Sequence, residues 1–437
     1  MSIRTPTPVQ AFCIPPLLAG RDCIGNAKTG SGKTVAFALP ILQKLSLDPY
    51  GIFALVLTPT RELALQIGDQ FAVLGVALGI HTAVIVGGMD MLSQALELNN
   101  RPHIVVATPG RLVDHLNSES GEWNLSRVLD EADRLLTDTF APDLRAIFAA
   151  LPPDRQTGLF TATITPKIEK LSDAPPRPGK QKPVIYRDTS TVETVDTLKQ
   201  YFVICPSHVR EVYLFYLLCH PPESIAHLRR EAPAKVKARW KQRDEDDTPI
   251  LFPPPTIVFV THPRTAAYLT ILLQHLGIPA AALHSYLSQR DRLSSLHSFR
   301  SSVSPVLVCT DVASRGLDIE DVGMVINWDM PMGNEDEDEG GAEDYVHRVG
   351  RTARMGRGGV AVSFVTERKG DTVMVEKIEQ RIKTRLEEME LPEAKVLIEL
   401  NKVSVAKRTA KLNLENSNFG ERQRINRKKG KNMSKQS

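Results

Sequence analysis

The sequence has few of the features that mark secreted, metal-binding and membrane proteins. It contains five scattered cysteines, none of them in a Cys-x-x-Cys pair: Cys13, Cys23, Cys205, Cys219 and Cys309. This argues against a zinc site or a disulfide framework and fits a reducing intracellular compartment. No apolar run approaches the length of a membrane span, and the N-terminal MSIRTPTPVQ has no signal-peptide core. We therefore expect no membrane partner.

The charge of the chain is unevenly distributed. Residues 401–437 carry 11 Lys and Arg against 2 Asp and Glu, a net of +9, whereas the whole chain has a formal net charge of +3, so residues 1–400 sum to −6. A basic tail favours a polyanionic partner, with nucleic acid as the first candidate. Composition alone leaves open a solubilising tail or a nuclear import signal around RKKGK (427–431).

Short, β-rich apolar runs alternate with stretches of helical periodicity such as RELALQIGDQFAVLGVAL (61–78). The apolar runs are IFALVL (52–57), TAVIV (82–86), HIVVA (103–107), TGLFTA (157–162), TIVFV (256–260), PVLVC (305–309), GMVIN (323–327) and GVAVSFV (359–365). Runs of this kind predict strands that are buried on both faces of a parallel sheet. The alternation therefore predicts an α/β fold that is built twice.

The proline- and glycine-rich APPRPGKQKP (174–183) indicates the break between the two domains. The predicted organisation is a first domain over 1–173, a linker over 174–195, a second domain over 196–395 and a basic extension over 396–437. Two insertions are expected in the second domain, at 221–255 and at the acidic NEDEDEGGAED (334–344). We expect the acidic segment to be solvated. From about residue 413 onward, we expect the residues to form a disordered basic tail.

Residues 27–34, AKTGSGKT, form a P-loop motif in which Ala27 replaces the usual first glycine. The glycines let backbone N–H groups close around a phosphate at a helix N-terminus. Lys33 would reach the β- and γ-phosphates, and the Thr34 hydroxyl would bind magnesium. The alternative is a glycine-rich turn with a chance lysine, which the strand pattern before the motif and the helical pattern after it disfavour.

An acidic cluster, Asp130-Glu131-Ala132-Asp133, follows two apolar residues further along the chain. Asp130 is placed to hold magnesium, directly or through water, and Glu131 is suited to orient an attacking water. Taken alone, the cluster could be an acid-rich helix N-terminus. The P-loop upstream favours a nucleotide site.

These motifs and several others resemble, in the same order along residues 4–395, those of DEAD-box ATP-dependent RNA helicases. The motifs are RTPTPVQ (4–10), AKTGSGKT (27–34), PTRELA (59–64), GG (87–88), TPGR (108–111), DEAD (130–133), TAT (161–163), IVFV (257–260), QRDR (289–292), TDVASRGLD (310–318) and HRVGRTAR (347–354). The resemblance implies two tandem RecA-like domains with mainly parallel sheets, and ATP with Mg²⁺ bound in the cleft between them.

Roles in the ATP site are implied by the same resemblance. It assigns nucleotide contacts to Gln10, Ala27, Thr29, Gly30, Ser31, Gly32, Lys33, Thr34 and Asp318. The catalytic set is Lys33, Asp130, Glu131 and the arginine fingers Arg351 and Arg354, with Thr34 and Asp130 on the metal. Gln10 would read the adenine edge, because a carboxamide can pair with adenine N6 and N7. Coupling of ATP to RNA is assigned to Asp133, Thr161, Thr163 and His347.

RNA contacts are expected at the carboxyl ends of strands, where open α/β sheets bind ligands. The first-domain set is Pro59, Thr60, Arg61, Gly88, Thr108, Gly110 and Arg111, and the second-domain set is Gln289, Arg292, Thr310 and Asp311. These groups suit phosphate and 2′-hydroxyl contacts, which predicts weakly sequence-specific, salt-sensitive binding. The resemblance implies local opening of short duplexes by a monomer.

Two details, FTATIT and APPRPGK, resemble a nucleolar subgroup of this family that acts on precursors of small-subunit ribosomal RNA. That resemblance implies a nuclear, nucleolar location and structured pre-ribosomal RNA as the partner. It also allows ribosome-assembly proteins as partners.

The sequence departs from the family pattern at two places that concern activity. No aromatic residue that could stack on adenine precedes Gln10, so we expect a lowered nucleotide affinity. The apolar run before Asp130 is short, because Ser126 and Arg127 precede Val128, which suggests a short in-frame loss in the gene model. An active RNA-dependent ATPase and helicase is therefore weighed against a non-catalytic or weakly active RNA clamp. A DNA-acting helicase is disfavoured by the motif set.

Overall fold

The protein is described by a computed structural model, which defines residues 5–28, 30–48, 51–118, 126–129, 135–163, 165–177, 179–188, 197–230, 252–311, 322–331, 340–353, 358–417 and 419. These residues form two compact units, the first ending at residue 188 and the second beginning at residue 197. Among them no helix has the length and apolar character needed to cross a membrane. The predicted α/β fold, built twice, is confirmed.

The first unit contains a parallel sheet of seven strands, which are β1 (Cys23–Asn26), β2 (Ala54–Leu57), β3 (Thr82–Ile85), β4 (Ile104–Ala107), β5 (Ser126–Leu129), β6 (Thr157–Thr161) and β7 (Val184–Arg187). Their order across the sheet is β3-β4-β2-β5-β6-β1-β7. The helices are Pro8–Leu18, Lys33–Leu45, Arg61–Gly75, Met91–Asn99, Pro109–Ser118, Ala141–Ala150 and Pro166–Asp173, with a 3₁₀ turn at Val76–Leu78.

The central strands of this sheet are apolar throughout because both of their faces are covered. In β2, Val56 packs into a cluster with Phe37 on one side of the sheet. Its neighbours Leu55 and Leu57 pack on the other side, in a cluster with Ile147. Burial on both faces explains why such strands lack the apolar–polar alternation of a half-exposed sheet.

Strand β5, which leads to Asp130, has the same four-residue length as β1, β2, β3 and β4. It pairs with β2 from Ser126 to Leu129 and with β6 from Arg127 to Leu129. The prediction that the run before Asp130 is too short to pair within the sheet was therefore wrong, whereas the suspected in-frame loss stays a prediction. Short central strands suffice here because neighbours pair with β5 on both sides.

The prediction of a linker over 174–195 was wrong for residues 184–187. These residues form β7, which pairs in parallel with β1 at the edge of the sheet. The segment before it is also attached to the first unit, because Arg177 Nη2 donates to Asp22 Oδ2 at 2.7 Å. The run VIYR (184–187) has the β-branched and aromatic residues of a strand. The basic, proline-rich segment APPRPGKQKP (174–183), which directly precedes this run, led to the prediction of a linker instead of a strand.

The second unit repeats the arrangement with seven parallel strands, which are β8 (Leu198–Ile204), β9 (Thr256–Val260), β10 (Ala280–Leu283), β11 (Val306–Thr310), β12 (Met324–Asn327), β13 (Gly359–Val365) and β14 (Glu387–Glu388). Their order across the sheet is β10-β11-β9-β12-β13-β8-β14. The helices are Arg210–Cys219, Glu223–Ala226, Pro263–His275, Gln289–Arg300, Gly340–Val349, Lys369–Ile382, Glu393–Ile398 and Leu400–Asn416.

The C-terminal helix Leu400–Asn416 belongs to the core of the second unit. Its residues Val403, Ala406 and Ala410 are buried in the main hydrophobic cluster, at the spacing of one helix face. Disorder was expected from about residue 413, but the helix continues to Asn416 and Leu414 is buried, so that boundary was wrong. Apart from Phe419 and the end of this helix, the rest of the basic tail lies outside the described residues.

The bounds predicted for the two insertions overlap described parts of the second unit. Phe252 N donates to Arg230 O at 2.9 Å, and Phe252 and Ile225 are buried, so the two ends of 221–255 are part of the second unit. Residues 231–251 lie outside the described structure. The acidic segment 334–344 ends inside the helix Gly340–Val349, and its residues before 340 are likewise outside.

Candidate nucleotide and RNA site

The carboxyl edge of the first sheet brings together the P-loop and the TAT segment. The P-loop follows β1 and the TAT segment begins at the last residue of β6, and these two strands are neighbours in the sheet. Because parallel strands all end at one edge of the sheet, loops that follow neighbouring strands lie side by side. Residues Thr29, Asp130, Glu131 and Asp133 lie outside the described structure.

The P-loop has the backbone geometry of a phosphate cradle. Gly30 and Gly32 have φ angles of 76° and 89°, in the left-handed region that favours glycine. Gly32 is the N-cap of the helix Lys33–Leu45, so the positive end of that helix faces the loop. The Ser31 Oγ atom is buried and has no hydrogen-bond partner among the described residues. This is expected of a hydroxyl that donates a hydrogen bond to a phosphate oxygen when nucleotide is bound.

The Lys33 ammonium is held against the loop by its carbonyl oxygens. Its Nζ donates to Ala27 O at 2.5 Å and to Lys28 O at 3.1 Å. A lysine held in this position lies where a phosphate bound by the loop would meet its charge. The residues present therefore fit a nucleotide phosphate, and Thr34 lies in the first turn of the same helix.

Gln10, which was predicted to read adenine, contacts the P-loop directly. Its Nε2 donates to Gly32 O at 3.1 Å, and its Oε1 accepts from Thr7 N at 3.0 Å. The side chain is buried, and a Cβ atom on Gly32 would collide with Nε2. The orientation of this carboxamide is therefore fixed by the phosphate loop.

The TAT segment is hydrogen bonded to the residues that enter the P-loop. Asn26 Nδ2 donates to Ala162 O at 3.0 Å, and Ala27 N donates to Thr161 O at 3.1 Å. Within the segment, Thr161 Oγ1 donates to Thr163 O at 2.7 Å. Asn26 was not singled out from the sequence, since an asparagine before a P-loop has no signature of its own.

The residues assigned to RNA in the first unit follow the other half of the sheet, β3-β4-β2. The ends of these strands are joined, since Thr58 N donates to Ala107 O and Thr108 N donates to Ile85 O, both at 3.0 Å. The loops that carry the assigned residues therefore meet at one edge. Those residues are Pro59, Thr60, Arg61, Gly88, Thr108, Gly110 and Arg111.

The cationic groups of this edge have defined neighbours. The Arg61 guanidinium packs against Gly87, where a Cβ atom would lie 3.0 Å from Nη2, so the GG motif leaves room for the arginine. Asp90 caps the helix Met91–Asn99, and hydrogen bonds from Ser93 lower the pKa of its carboxyl, with the Arg111 charge acting in the same sense. Asp90 was not anticipated from the sequence.

Gln94 was also not anticipated. Its carboxamide makes two hydrogen bonds to the backbone of Val86, accepting from N at 3.2 Å and donating to O at 3.0 Å. Because Val86 directly precedes the GG motif, this buried pair positions the glycines relative to the helix Met91–Asn99.

In the second unit, Gln289 and Arg292 lie at the start of the helix Gln289–Arg300, directly after the β10 loop. Ser288 caps that helix by accepting from Asp291 N at 3.2 Å. Thr310 ends β11, the neighbour of β10, so the four assigned residues share one corner of the sheet. Gln289, Arg292 and Thr310 are largely buried, which leaves only small parts of their side chains for a ligand.

Asp311 has a structural partner that the sequence did not reveal. Arg348 donates from Nε and Nη2 to the two carboxylate oxygens of Asp311, each at 2.6 Å, and from Nη1 to Asp329 O at 2.7 Å. Arg348 is 2 % exposed. The assigned RNA contact of Asp311 stays a prediction, but both of its oxygens are engaged by this guanidinium.

The arginine-finger motif is described only in part. Arg351 is buried, and its Nε donates to His347 O at 3.1 Å, while His347 is half-buried at the end of the helix Gly340–Val349. Arg354 and Asp318 lie outside the described residues.

Comparisons with known proteins agree with this arrangement. The family model "DEAD/DEAH box helicase" matches residues 7–171, and "Helicase conserved C-terminal domain" matches residues 250–356. The chain is 47 % identical to "ATP-dependent RNA helicase DBP8" of Mycosarcoma maydis, covering 98 % of this chain and 85 % of that protein. It is 45 % identical to human "Probable ATP-dependent RNA helicase DDX49", covering 98 % and 82 %.

Two solved structures share the fold. One is Mss116p, lacking its NTE and C-tail, bound to ssRNA and AMP-PNP, with a TM-score of 0.71, 29 % identity and coverage of 91 % of this chain and 77 % of that one. The other is S. cerevisiae Dbp5 bound to RNA and ADP BeF3, with a TM-score of 0.72, 25 % identity and coverage of 94 % and 95 %.

Proposed function

Because the chain belongs to the DEAD-box family of ATP-dependent RNA helicases, which are RNA-dependent ATPases, we propose that it binds MgATP at the P-loop and couples hydrolysis to local opening of RNA duplexes. The observation that carries the proposal is the P-loop itself. Gly32 caps the helix Lys33–Leu45, and Lys33 lies against the loop carbonyls. Ser31 Oγ is buried there without a partner among the described residues.

In this proposal each residue of the ATP site has a separate task. Lys33 and the loop N–H groups hold the phosphates, Gln10 selects adenine, and Glu131 orients the attacking water. Thr34 and Asp130 hold Mg²⁺, which neutralises phosphate charge when bound. Arg351 and Arg354 supply guanidinium donors to the developing phosphoryl charge. Asp318 is assigned to the ribose.

RNA contact is proposed at the β3-β4-β2 edge of the first unit and at the β10-β11 corner of the second. Most of the assigned groups are arginines, threonine hydroxyls and loop backbone, which suit phosphates and 2′-hydroxyls better than base edges. Binding is therefore expected to depend weakly on sequence and strongly on salt.

The cellular role is proposed to be processing of small-subunit ribosomal RNA precursors in the nucleolus. The resemblance of FTATIT and APPRPGK to a nucleolar subgroup supports this role, and the net charge of +9 over residues 401–437 suits a polyanionic partner. Cross-linking to RNA in cells, followed by sequencing of the bound fragments, tests it. Recovery of messenger RNA without enrichment of ribosomal precursors would contradict it.

A weakly active RNA clamp rested chiefly on the short strand before Asp130. Since β5 pairs along its length with β2 and over three residues with β6, that argument has no support among the described residues. The active enzyme is therefore the reading that we adopt.

The test is ATP hydrolysis measured with and without RNA. We expect stimulation by RNA, and near-complete loss of turnover in Lys33→Ala and Glu131→Gln. Lys170→Ala serves as the matched control, because Lys170 is exposed on the helix Pro166–Asp173 and belongs to none of the assigned sets. Turnover that RNA does not raise above the level of Glu131→Gln would refute the proposed enzyme.

A further inference from the structure

A tyrosine stands at the surface of the loop that follows β10 in the second unit. Tyr286 is 42 % exposed, whereas His284, at the start of the same loop, is buried. Strand β10 ends at Leu283, which pairs with Cys309 of β11. Thr310 is the next residue of β11, so the loop leaves the sheet beside a residue assigned to RNA.

The far end of this loop also leads to residues assigned to RNA. Tyr286 precedes Gln289, the first residue of the helix Gln289–Arg300, by three residues, so their Cα atoms are at most about 11 Å apart. Within the first two turns of that helix, Arg290 is exposed and Arg292 is largely buried. An exposed aromatic ring beside cationic and amide groups is typical of surfaces that bind single-stranded nucleic acid.

The orientation of the Tyr286 ring is fixed by two other rings. It meets His284 edge to face, with 6.3 Å between the centroids, and it lies 5.5 Å from the ring of Phe419 with 37° between the planes. The backbone of the loop is held as well, because Tyr286 N donates to Nδ1 of His284 at 3.2 Å. A ring that is already held in place loses little conformational entropy when a ligand stacks on it.

The support of the ring is uncharged. Burial, and secondly the nearby positive charge of Arg292, lowers the pKa of His284 to about 4. His284 is therefore neutral at physiological pH, and Phe419 adds a second apolar contact. The Tyr286 ring thus rests on apolar surface, while part of it faces the solvent.

We propose that Tyr286 stacks on one nucleobase of the RNA strand whose backbone contacts Gln289, Arg292 and Thr310. The inference rests on RNA binding by the second unit, as proposed above, and adds a base contact to it. Every base has a π-face, so stacking strengthens binding without reading the base edges. It therefore agrees with weakly sequence-specific binding.

The simplest alternative is that Tyr286 only packs against Phe419. Against it, the tyrosine keeps 42 % of its surface exposed after both ring contacts are made. A second alternative is an apolar side chain of a protein partner. The cationic Arg290 and the neighbouring residues assigned to phosphate favour a polyanion instead.

The experiment measures binding of the full chain to a fluorescein-labelled single-stranded RNA of about ten nucleotides by fluorescence anisotropy, with Mg²⁺ and the ATP analogue AMP-PNP present. A series of RNAs replaces one nucleotide at a time by an abasic one, which keeps the phosphate and removes the base. In the wild type, removal of the base at one position should weaken binding about tenfold, because the stacked base is lost.

Substitution of the tyrosine identifies the ring that holds this base. Tyr286→Leu should weaken binding of the intact RNA about tenfold, which is about 1.4 kcal/mol. At the stacked position, removal of the base should cause no further loss in this variant, whereas at other positions the two effects should add. Tyr286→Phe should bind like the wild type, since the π-face is kept. Val303→Ala is the matched control, because Val303 is 60 % exposed and precedes β11 at the opposite edge of the sheet.

The dependence on KCl separates stacking from a displaced loop. Stacking releases no counterions, so Tyr286→Leu should leave the slope of log Kd against log[KCl] unchanged, whereas Arg292→Ala should reduce it by about 1. If Tyr286→Leu reduced the slope as Arg292→Ala does, the tyrosine would only position phosphate contacts and the proposal would be overturned.

The outcomes are distinguishable. A wild type that binds no RNA would refute the proposed function, and the stacking inference with it. If the wild type binds RNA and Tyr286→Leu causes the same loss for the intact RNA and for every abasic RNA, the stacking inference alone is overturned. An equal loss in Phe419→Leu would in that case assign Tyr286 to packing.

Discussion

Asn26 Nδ2 donates a hydrogen bond to the carbonyl oxygen of Ala162, and the two atoms lie 3.0 Å apart although 136 residues separate them in the chain. Asn26 ends β1 directly before the P-loop, and Ala162 is the centre of the TAT segment. This bond links the loop assigned to phosphate with the segment assigned to coupling, through a side chain that belongs to neither motif.

We therefore predict that Asn26→Ala uncouples the two activities. The Ala162 carbonyl loses its donor, at a cost of about 1 kcal/mol or more for a buried group, while the P-loop residues remain in place. RNA-stimulated ATP hydrolysis should stay within about threefold of the wild type, and strand separation should fall about tenfold, which is about 1.4 kcal/mol.

The measurement compares ATP turnover and separation of a short RNA duplex in the same preparation. Asn100→Ala is the control, because Asn100 is exposed beyond the helix Met91–Asn99. A parallel loss of both activities would assign Asn26 a merely structural role.

Gln10→Ala should raise the KM for ATP about tenfold and have less effect on GTP, because the carboxamide held by Gly32 O and Thr7 N is lost from the adenine side of the site. Gln10→Glu should be at least as harmful, since its carboxylate would face the Gly32 carbonyl. Steady-state kinetics with both nucleotides check this. Equal changes in the two KM values would contradict adenine reading by Gln10.

Asp311→Ala should destabilise the second unit by about 3 kcal/mol, because it leaves the buried Arg348 guanidinium without its bidentate partner. Urea unfolding measures this loss. The double variant Asp311→Ala/Arg348→Met removes both charges and should recover part of the stability. If Asp311→Ala weakened RNA binding without lowering the free energy of unfolding, the RNA role assigned to Asp311 would be favoured over the structural one.

The stability of the second unit should fall between pH 7 and pH 5.5 because of His284. Its pKa is lowered to about 4 in the folded state, whereas an unfolded histidine titrates near 6.5. The unfolded state therefore binds more protons in this interval, and the free energy of unfolding decreases by about 1 kcal/mol as the pH falls.

His284→Asn should remove that component, since an amide oxygen can still accept from Tyr286 N but does not titrate. Glu367 has its pKa lowered to about 2 by hydrogen bonds from Ser207, so it contributes to pH dependence only below about pH 4.5, outside this interval. An identical pH dependence in the variant and the wild type would show that His284 does not titrate as described.

The sequence by itself determined the features that depend on neighbouring residues. Apolar runs such as TIVFV (256–260) predicted β9, and AKTGSGKT predicted a loop before a helix, because strand burial and left-handed glycines are local requirements. The order of the motifs then indicated a family, and the family and its two-part α/β fold were confirmed.

Only the tertiary structure decided which distant groups meet. The short run before Asp130 looked incomplete until β2 and β6 were seen to pair with it. Arg348 belongs to the motif HRVGRTAR (347–354), but its pairing with Asp311 requires the helix Gly340–Val349 to pack at the end of β11. Phe419, beyond the C-terminal helix, meets the loop after β10. Such contacts join residues far apart in the chain, and a periodic pattern or a motif specifies a surface without specifying its partner.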